Sequence, residues 1–142
     1  MISATTGDVP FGDRGESVLR ERVFVYGTLR TGGSNHHVLT GARRLGDHVT
    51  EPLYRMLDVG PYPGVVSGGD TAIRGEVYEV TPDGFRRLDA LEDYPRSYTR
   101  RKIATPWGEA WMYLYRPRGQ RLPEIPGGDW LRRSPLRRTG AD

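Results

Sequence analysis

The sequence predicts an α+β fold, a curled sheet or small barrel with one firm helix, on three observations. Six short runs of β-branched and aromatic residues alternate with turn residues. One segment alone carries a capped helical pattern. Strands and helices do not alternate as a parallel βαβ sheet requires. The 142 residues suffice for one compact core and not for two. The absence of cysteine excludes disulfides, thiolate metal sites and cysteine nucleophiles together.

Residues 1–20 mix small and polar types without periodicity and are expected to form a flexible leader. Arg22-Val23-Phe24-Val25-Tyr26 reads as a buried strand stopped at Gly27. A loop with three glycines follows, and then one helical turn over His36 to Leu39, with Asn35 as its cap. Two short strands are expected between Arg43 and Asp58, after which Pro61, Pro63 and Gly64 break the chain before Val65-Val66. From Ile73 to Val80 apolar and polar residues alternate, the pattern of a half-buried strand. Thr81 is then a good N-cap, Pro82 fits the first helical position, and Asp83 suits the positive end of the helix dipole. Phe85, Leu88 and Leu91 form the apolar stripe of this helix, and Pro95 forces its end. Two last strands, Tyr98 to Thr105 and Glu109 to Tyr115, form a hairpin through Pro106-Trp107-Gly108. The expected domain is 21–116. Residues 117–142 read as an Arg/Pro/Gly-rich tail in which Asp129-Trp130-Leu131 alone is suited to docking.

Net charge is +3, and 20 of the 21 basic residues are arginine. From Arg116 to Asp142 seven arginines face three acids, so the surplus belongs to the tail and the body is close to neutral. A nucleic-acid binder needs a basic face on its folded body, so no nucleic-acid partner is expected. No run approaches the ~18 apolar residues of a membrane span, and no secretory signal opens the chain. The expected location is the cytoplasm. Oligomeric state is not legible.

One residue of the helix lies on the wrong face. Glu92 is four after Leu88 and seven after Phe85, so it projects from the apolar stripe. It also sits in the last turn, where the dipole disfavours negative charge. Both effects raise a carboxyl's proton affinity towards neutrality, which suits a general acid–base group. Asp89 lies nearer the stripe's boundary and is placed to orient a neighbour. The competing reading pairs Glu92 with Arg96 or Arg100 as an ordinary surface acid. A second feature is Tyr26-Gly27-Thr28-Leu29 at the exit of the first strand. A glycine there lets the backbone turn and present successive N–H groups to a carboxylate or a developing oxyanion, with the Thr28 hydroxyl beside them. The competing reading is an ordinary turn. No Gly-Lys-Ser/Thr phosphate loop, His-Glu-x-x-His site or Gly-x-Ser-x-Gly elbow is present, so neither a nucleotide nor a metal is expected.

Val23-Phe24-Val25-Tyr26-Gly27-Thr28-Leu29-Arg30, followed by Asn35-His36, resembles the opening of the γ-glutamylcyclotransferase-like family, closest to its γ-glutamylamine cyclotransferase branch. Tyr62-Pro63-Gly64, Gly75-Glu76-Val77-Tyr78, Leu88-Asp89-Ala90-Leu91-Glu92, Tyr98-x-Arg100 and Ala110-Trp111-x-Tyr113 continue the resemblance in order. It implies a small mixed-sheet barrel of about six strands with one or two flanking helices. It also implies release of 5-oxoproline from a γ-glutamyl amine without a cofactor. Glu92 matches the family's catalytic glutamate. Tyr26, Gly27, Thr28 and Leu29 match the loop that holds the glutamyl group, and Tyr98 matches a pocket hydroxyl. The expected partner is a small γ-glutamylated amine, whose leaving group the residues do not specify. Asp58, Glu79, Asp89 and Asp93 are candidates for an acidic rim suited to a polycationic one. The alternative is a binding module of the same fold that captures a γ-glutamyl or carboxylate ligand and leaves it intact.

Overall fold

The computed structural model describes residues 20–134. The leader expected over 1–20 lies almost wholly outside the described residues, as does the tail beyond Ser134. Among the described residues seven strands are present: β1 (Glu21–Val25), β2 (Arg43–Val49), β3 (Tyr54–Asp58), β4 (Pro63–Ser67), β5 (Arg74–Val80), β6 (Tyr98–Thr105) and β7 (Gly108–Tyr115). One helix, α1 (Pro82–Leu91), and two short 3-10 turns, His36–Leu39 and Trp130–Arg132, accompany them. No helix among the described residues is long and apolar enough to cross a membrane.

Five strands form one mixed sheet in the order β2-β5-β1-β7-β6. β1 is central, antiparallel to β5 and parallel to β7. Its sequence explains its place. Phe24 faces one apolar cluster, with Met56, Val65, Val77 and Met112, while Val23 and Val25 face another, with Leu39, Tyr78, Val80 and Leu88. A strand buried on both faces reads as a continuous apolar run, which Val23-Phe24-Val25 is. The β3–β4 hairpin covers the first face, with β4 packed against β7, and α1 and the His36–Leu39 turn cover the second. The result is the α+β, mixed-sheet architecture the sequence implies, with one strand more than its six runs.

The additional strand is β4, where Pro61, Pro63 and Gly64 pointed to a break. Pro63 opens the strand opposite Asp58, a position that tolerates a missing N–H, and the rest of β4 pairs with β3 alone. The helix begins as its residues dictate: the Thr81 hydroxyl accepts from the Gly84 N–H, and Pro82 takes the first turn. The stripe differs at one position. Leu88 is fully buried and Phe85 packs on its cluster, but Leu91 is exposed.

The folded chain also continues past 116. The Pro123 carbonyl accepts from the Asp58 N–H and the Met56 carbonyl from the Ile125 N–H, so this segment runs along β3. Ile125 and Trp130 enter the first cluster. Trp130 thus docks as its composition predicts, whereas Leu131 stays exposed.

Candidate active site

The C-terminus of α1, the exit of β1 and the start of β4 meet at one cavity of about 200 Å³. Its walls include Tyr26, Gly27, Thr28 and Leu29 from the loop after β1, Tyr62 and Pro63 before and at β4, Leu91, Glu92 and Asp93 at the helix end, and Tyr98 and Tyr113 from the sheet. Glu92, Tyr26, Gly27, Thr28, Leu29 and Tyr98, the residues expected to act on or hold the substrate, therefore line the same pocket.

The helix stops at Glu92 because Asp93 adopts a left-handed conformation, φ 54°. The Tyr94 N–H then reaches back to the Asp89 carbonyl at 2.9 Å and the Asp93 N–H to that of Ala90 at 3.2 Å, which satisfies carbonyls the helix would otherwise leave open. Glu92 is the C-cap residue. Its carboxyl reaches solvent through the pocket but is otherwise enclosed by protein, and no ion pair or hydrogen bond to its side chain exists among the described residues. Burial alone pushes its pKa up to about 7. The competing ion pairs are formed elsewhere. Arg96 lies 3.4 Å from Asp93, and Arg100 grips Asp89 through two hydrogen bonds of 3.1 Å.

Facing the helix end is the loop from Gly27 to Asn35. Gly27 is required by close approach and not by an unusual backbone angle: a Cβ there would lie 2.7 Å from the Pro63 ring. The loop is tight, with the Thr28 carbonyl accepting from the Asn35 N–H and the Gly27 carbonyl from that of Arg30. The N–H groups of Gly27, Thr28 and Leu29 donate to no acceptor among the described residues. Asn35, expected as a helix cap, makes no cap hydrogen bond; its Nδ2 donates to Thr28 Oγ1 at 3.0 Å. The Thr28 hydroxyl proton is thereby turned away from Asn35 and left to donate. On the loop's outer side the Thr31 N–H and hydroxyl both donate to the buried Glu76, which anchors the loop to β5.

The two site tyrosines serve the pocket differently from a free hydroxyl. Tyr26 donates to the Tyr113 carbonyl at 2.8 Å and Tyr98 to the Pro63 carbonyl at 2.7 Å. Burial, with the nearby Glu92 charge adding to it, raises the pKa of both. They are neutral, fixed walls whose donor protons are already engaged. Of the acids considered for a rim, only Asp93 lines the pocket, where Ser97 and Arg96 lower its pKa. Asp58 is buried beside β4, Glu79 pairs with Arg43, and Asp89 with Arg100. Among the lining residues there is no arginine, lysine or histidine. Pro63, Asn35 and Tyr113 are pocket residues that the residue pattern did not single out. The resemblance passes through all three, and that is the only signal that marks them.

Comparison with known proteins fits this geometry. The family model described as gamma-glutamyl cyclotransferase, AIG2-like, matches residues 23–132. The chain belongs to that family. A Vibrio cholerae relative bearing the family's name is 44% identical over 115 residues, covering 81% of this chain and 99% of its own. The gamma-glutamylcyclotransferase family protein YtfP of Escherichia coli is 43% identical over 112 residues, 79% of this chain and 97% of its own. The solution structure of YtfP from Escherichia coli superposes with a TM-score of 0.63, covering 78% of this chain and 96% of that one. A crystal structure of an uncharacterized Pyrococcus horikoshii protein gives 0.66 at 33% identity, over 78% and 89% of the two chains.

Proposed function

We propose that this pocket closes a γ-glutamyl amine on itself, releasing 5-oxoproline and the free amine, with Glu92 as the general acid and base. The observation that carries the reading is Glu92 itself: an enclosed carboxyl with no partner among the described residues, in one pocket with a loop whose Gly27, Thr28 and Leu29 N–H groups are unengaged there. The substrate supplies its own nucleophile, because its α-amine reaches the γ-carbonyl through a five-membered ring. Such intramolecular attack is worth roughly 10⁵–10⁸ M in effective concentration once the chain is bent correctly.

Glu92 takes a proton from the α-ammonium, and the freed amine attacks the γ-carbonyl carbon. As the bond from that carbon to the leaving nitrogen breaks, the carboxyl returns its proton to that nitrogen. The second proton of the attacking nitrogen follows the same route, so the amine departs as an ammonium and the ring nitrogen keeps one hydrogen. With no cation among the described lining residues, the negative oxygens of the substrate fall to the N–H groups of Gly27, Thr28 and Leu29 and to the Thr28 hydroxyl. Tyr26, Tyr98 and Pro63 shape the wall against which the glutamyl chain bends.

Mass spectrometry of γ-glutamyl amines and γ-glutamyl amino acids incubated with the wild type and Glu92→Gln tests this. Release of 5-oxoproline by the wild type alone is expected. Free glutamate would mean hydrolysis, turnover retained by the variant would remove Glu92 from the chemistry, and ligands bound but left intact would mean a binding module.

A further inference from the structure

One turn before Glu92, a second charged group is assembled that the reaction above does not use. Asp89 accepts from Arg100 Nε and Nη2, both at 3.1 Å, and from the Tyr113 hydroxyl at 2.7 Å. The Arg100 guanidinium is enclosed by three rings, 4.5 Å from Phe85, 4.2 Å from Tyr94 and 4.7 Å from Trp111. The pair is mostly buried, with side-chain exposures of 17% for Arg100 and 23% for Asp89. Its members come from α1, β6 and β7, so the clasp ties the helix end to the hairpin. Tyr113 belongs both to the clasp and to the pocket wall.

Residues three apart on a helix are neighbours, with Cβ atoms roughly 5–6 Å apart, so Asp89 and Glu92 share a surface. Arg100 is the strong cation of this neighbourhood. Left without Asp89, it would be an uncompensated positive charge one helical turn from a carboxyl that has to give up and regain a proton. We propose that Asp89 is a positioning residue for Glu92: by holding Arg100 it cancels that charge and fixes the helix end, so that the Glu92 carboxyl trades its proton with substrate instead of serving as an arginine's counter-ion. The inference rests on the reading of Glu92 as the proton carrier.

The surroundings of Glu92 are consistent with this. From β1, β6 and β7 it is faced by the neutral tyrosines 26, 98 and 113; Tyr62 lines the same pocket, and Tyr115 packs on Tyr98. On its own element its charged neighbours are Asp89 and Asp93, the latter tied to Arg96 and Ser97. Arg118 is directed to the Arg96 carbonyl. Tyr113 feels all three charges, Asp89 and Glu92 raising its pKa and Arg100 lowering it.

A compensated pair makes a prediction that a merely structural one does not: its two halves act with opposite signs. The Glu92 carboxyl is followed by ¹³C NMR titration of the full chain, alongside the pH profile of kcat/KM. In Asp89→Asn the midpoint falls, and in Arg100→Gln it rises, the signs that a net positive or net negative charge imposes on a neighbouring carboxyl. The double variant and Arg100→Lys return close to the wild-type midpoint. Either single variant suffices, since each fixes a sign. Midpoints that stay put, or that move together, overturn the proposal. The titration needs no turnover. If 5-oxoproline is never formed while the opposite shifts are seen, the reaction is wrong and the clasp stands; if turnover is seen without the shifts, the reverse holds.

Discussion

Two glutamates are enclosed in this protein, and they are opposites. Glu76, on β5, is 4% exposed and surrounded by partners: its Oε1 accepts from the Thr31 N–H at 2.9 Å and the Tyr78 hydroxyl at 3.0 Å, with Arg30 Nε at 3.7 Å and Arg44 Nε at 3.9 Å. Glu92 has none of these. A carboxylate that accepts from surrounding donors ties elements together and builds structure. One enclosed without donors has a high proton affinity and is available to react. Burial alone therefore does not suit an acid to proton transfer; the role proposed for Glu92 needs burial without partners.

Exchanging each glutamate separates the two roles. Glu92→Gln should keep the fold and the KM while kcat falls by about 10²–10⁴-fold, the usual worth of a general acid–base group. Steady-state kinetics on whichever γ-glutamyl amine the wild type accepts would read this. Glu76→Ala should do the reverse. It removes the acceptor of the Thr31 N–H and one of the two ion-pair partners of Arg30, which keeps Asp129, and is expected to lower the stability in urea by about 3 kcal/mol, while the folded fraction still turns over.

A third test uses pH. Because the folded state raises the pKa of Glu92 to about 7, it binds this proton more tightly than the unfolded chain does. Enclosing the carboxyl therefore costs nothing below its ordinary carboxylate range, and the cost grows as pH rises until it is complete above about 7. Glu92→Gln should then be more stable than the wild type at pH 8, by on the order of 2 kcal/mol, and equal to it at pH 4. Equal stability at both values would mean that the carboxyl is well solvated. The smallest effect is expected at the helix's other end. Thr81→Ala removes the cap on Gly84 and should lower stability by about 1 kcal/mol without moving the pH profile.

The elements themselves were legible because their signals are local. Val23-Phe24-Val25 announces a strand buried on both faces, and Thr81-Pro82-Asp83 announces a helix start. Glu92 was legible for the same reason, being an acid in register with Leu88. β4 was not, because proline within a strand is acceptable only where the ladder asks for no N–H there, which depends on the partner strand. After Arg116 the docking of Trp130 was legible from its composition, but the run from Pro123 to Ile125 was silent. Its single isoleucine carries no periodicity, and β3 supplies the backbone partners that hold it. The partner of Arg100 was the hardest to foresee. Arg96, Arg100 and Glu92 look like neighbours along the chain, yet the β6–β7 register sets Arg100 opposite Tyr113 and beneath Asp89.

The most direct test is a ¹³C NMR titration of the side-chain carboxyls in the wild type, with Glu92→Gln used to assign the Glu92 signal. The account predicts a Glu92 midpoint near 7. A Glu92 midpoint in the ordinary carboxylate range, below about 5, would mean a solvated or paired group and would contradict the account.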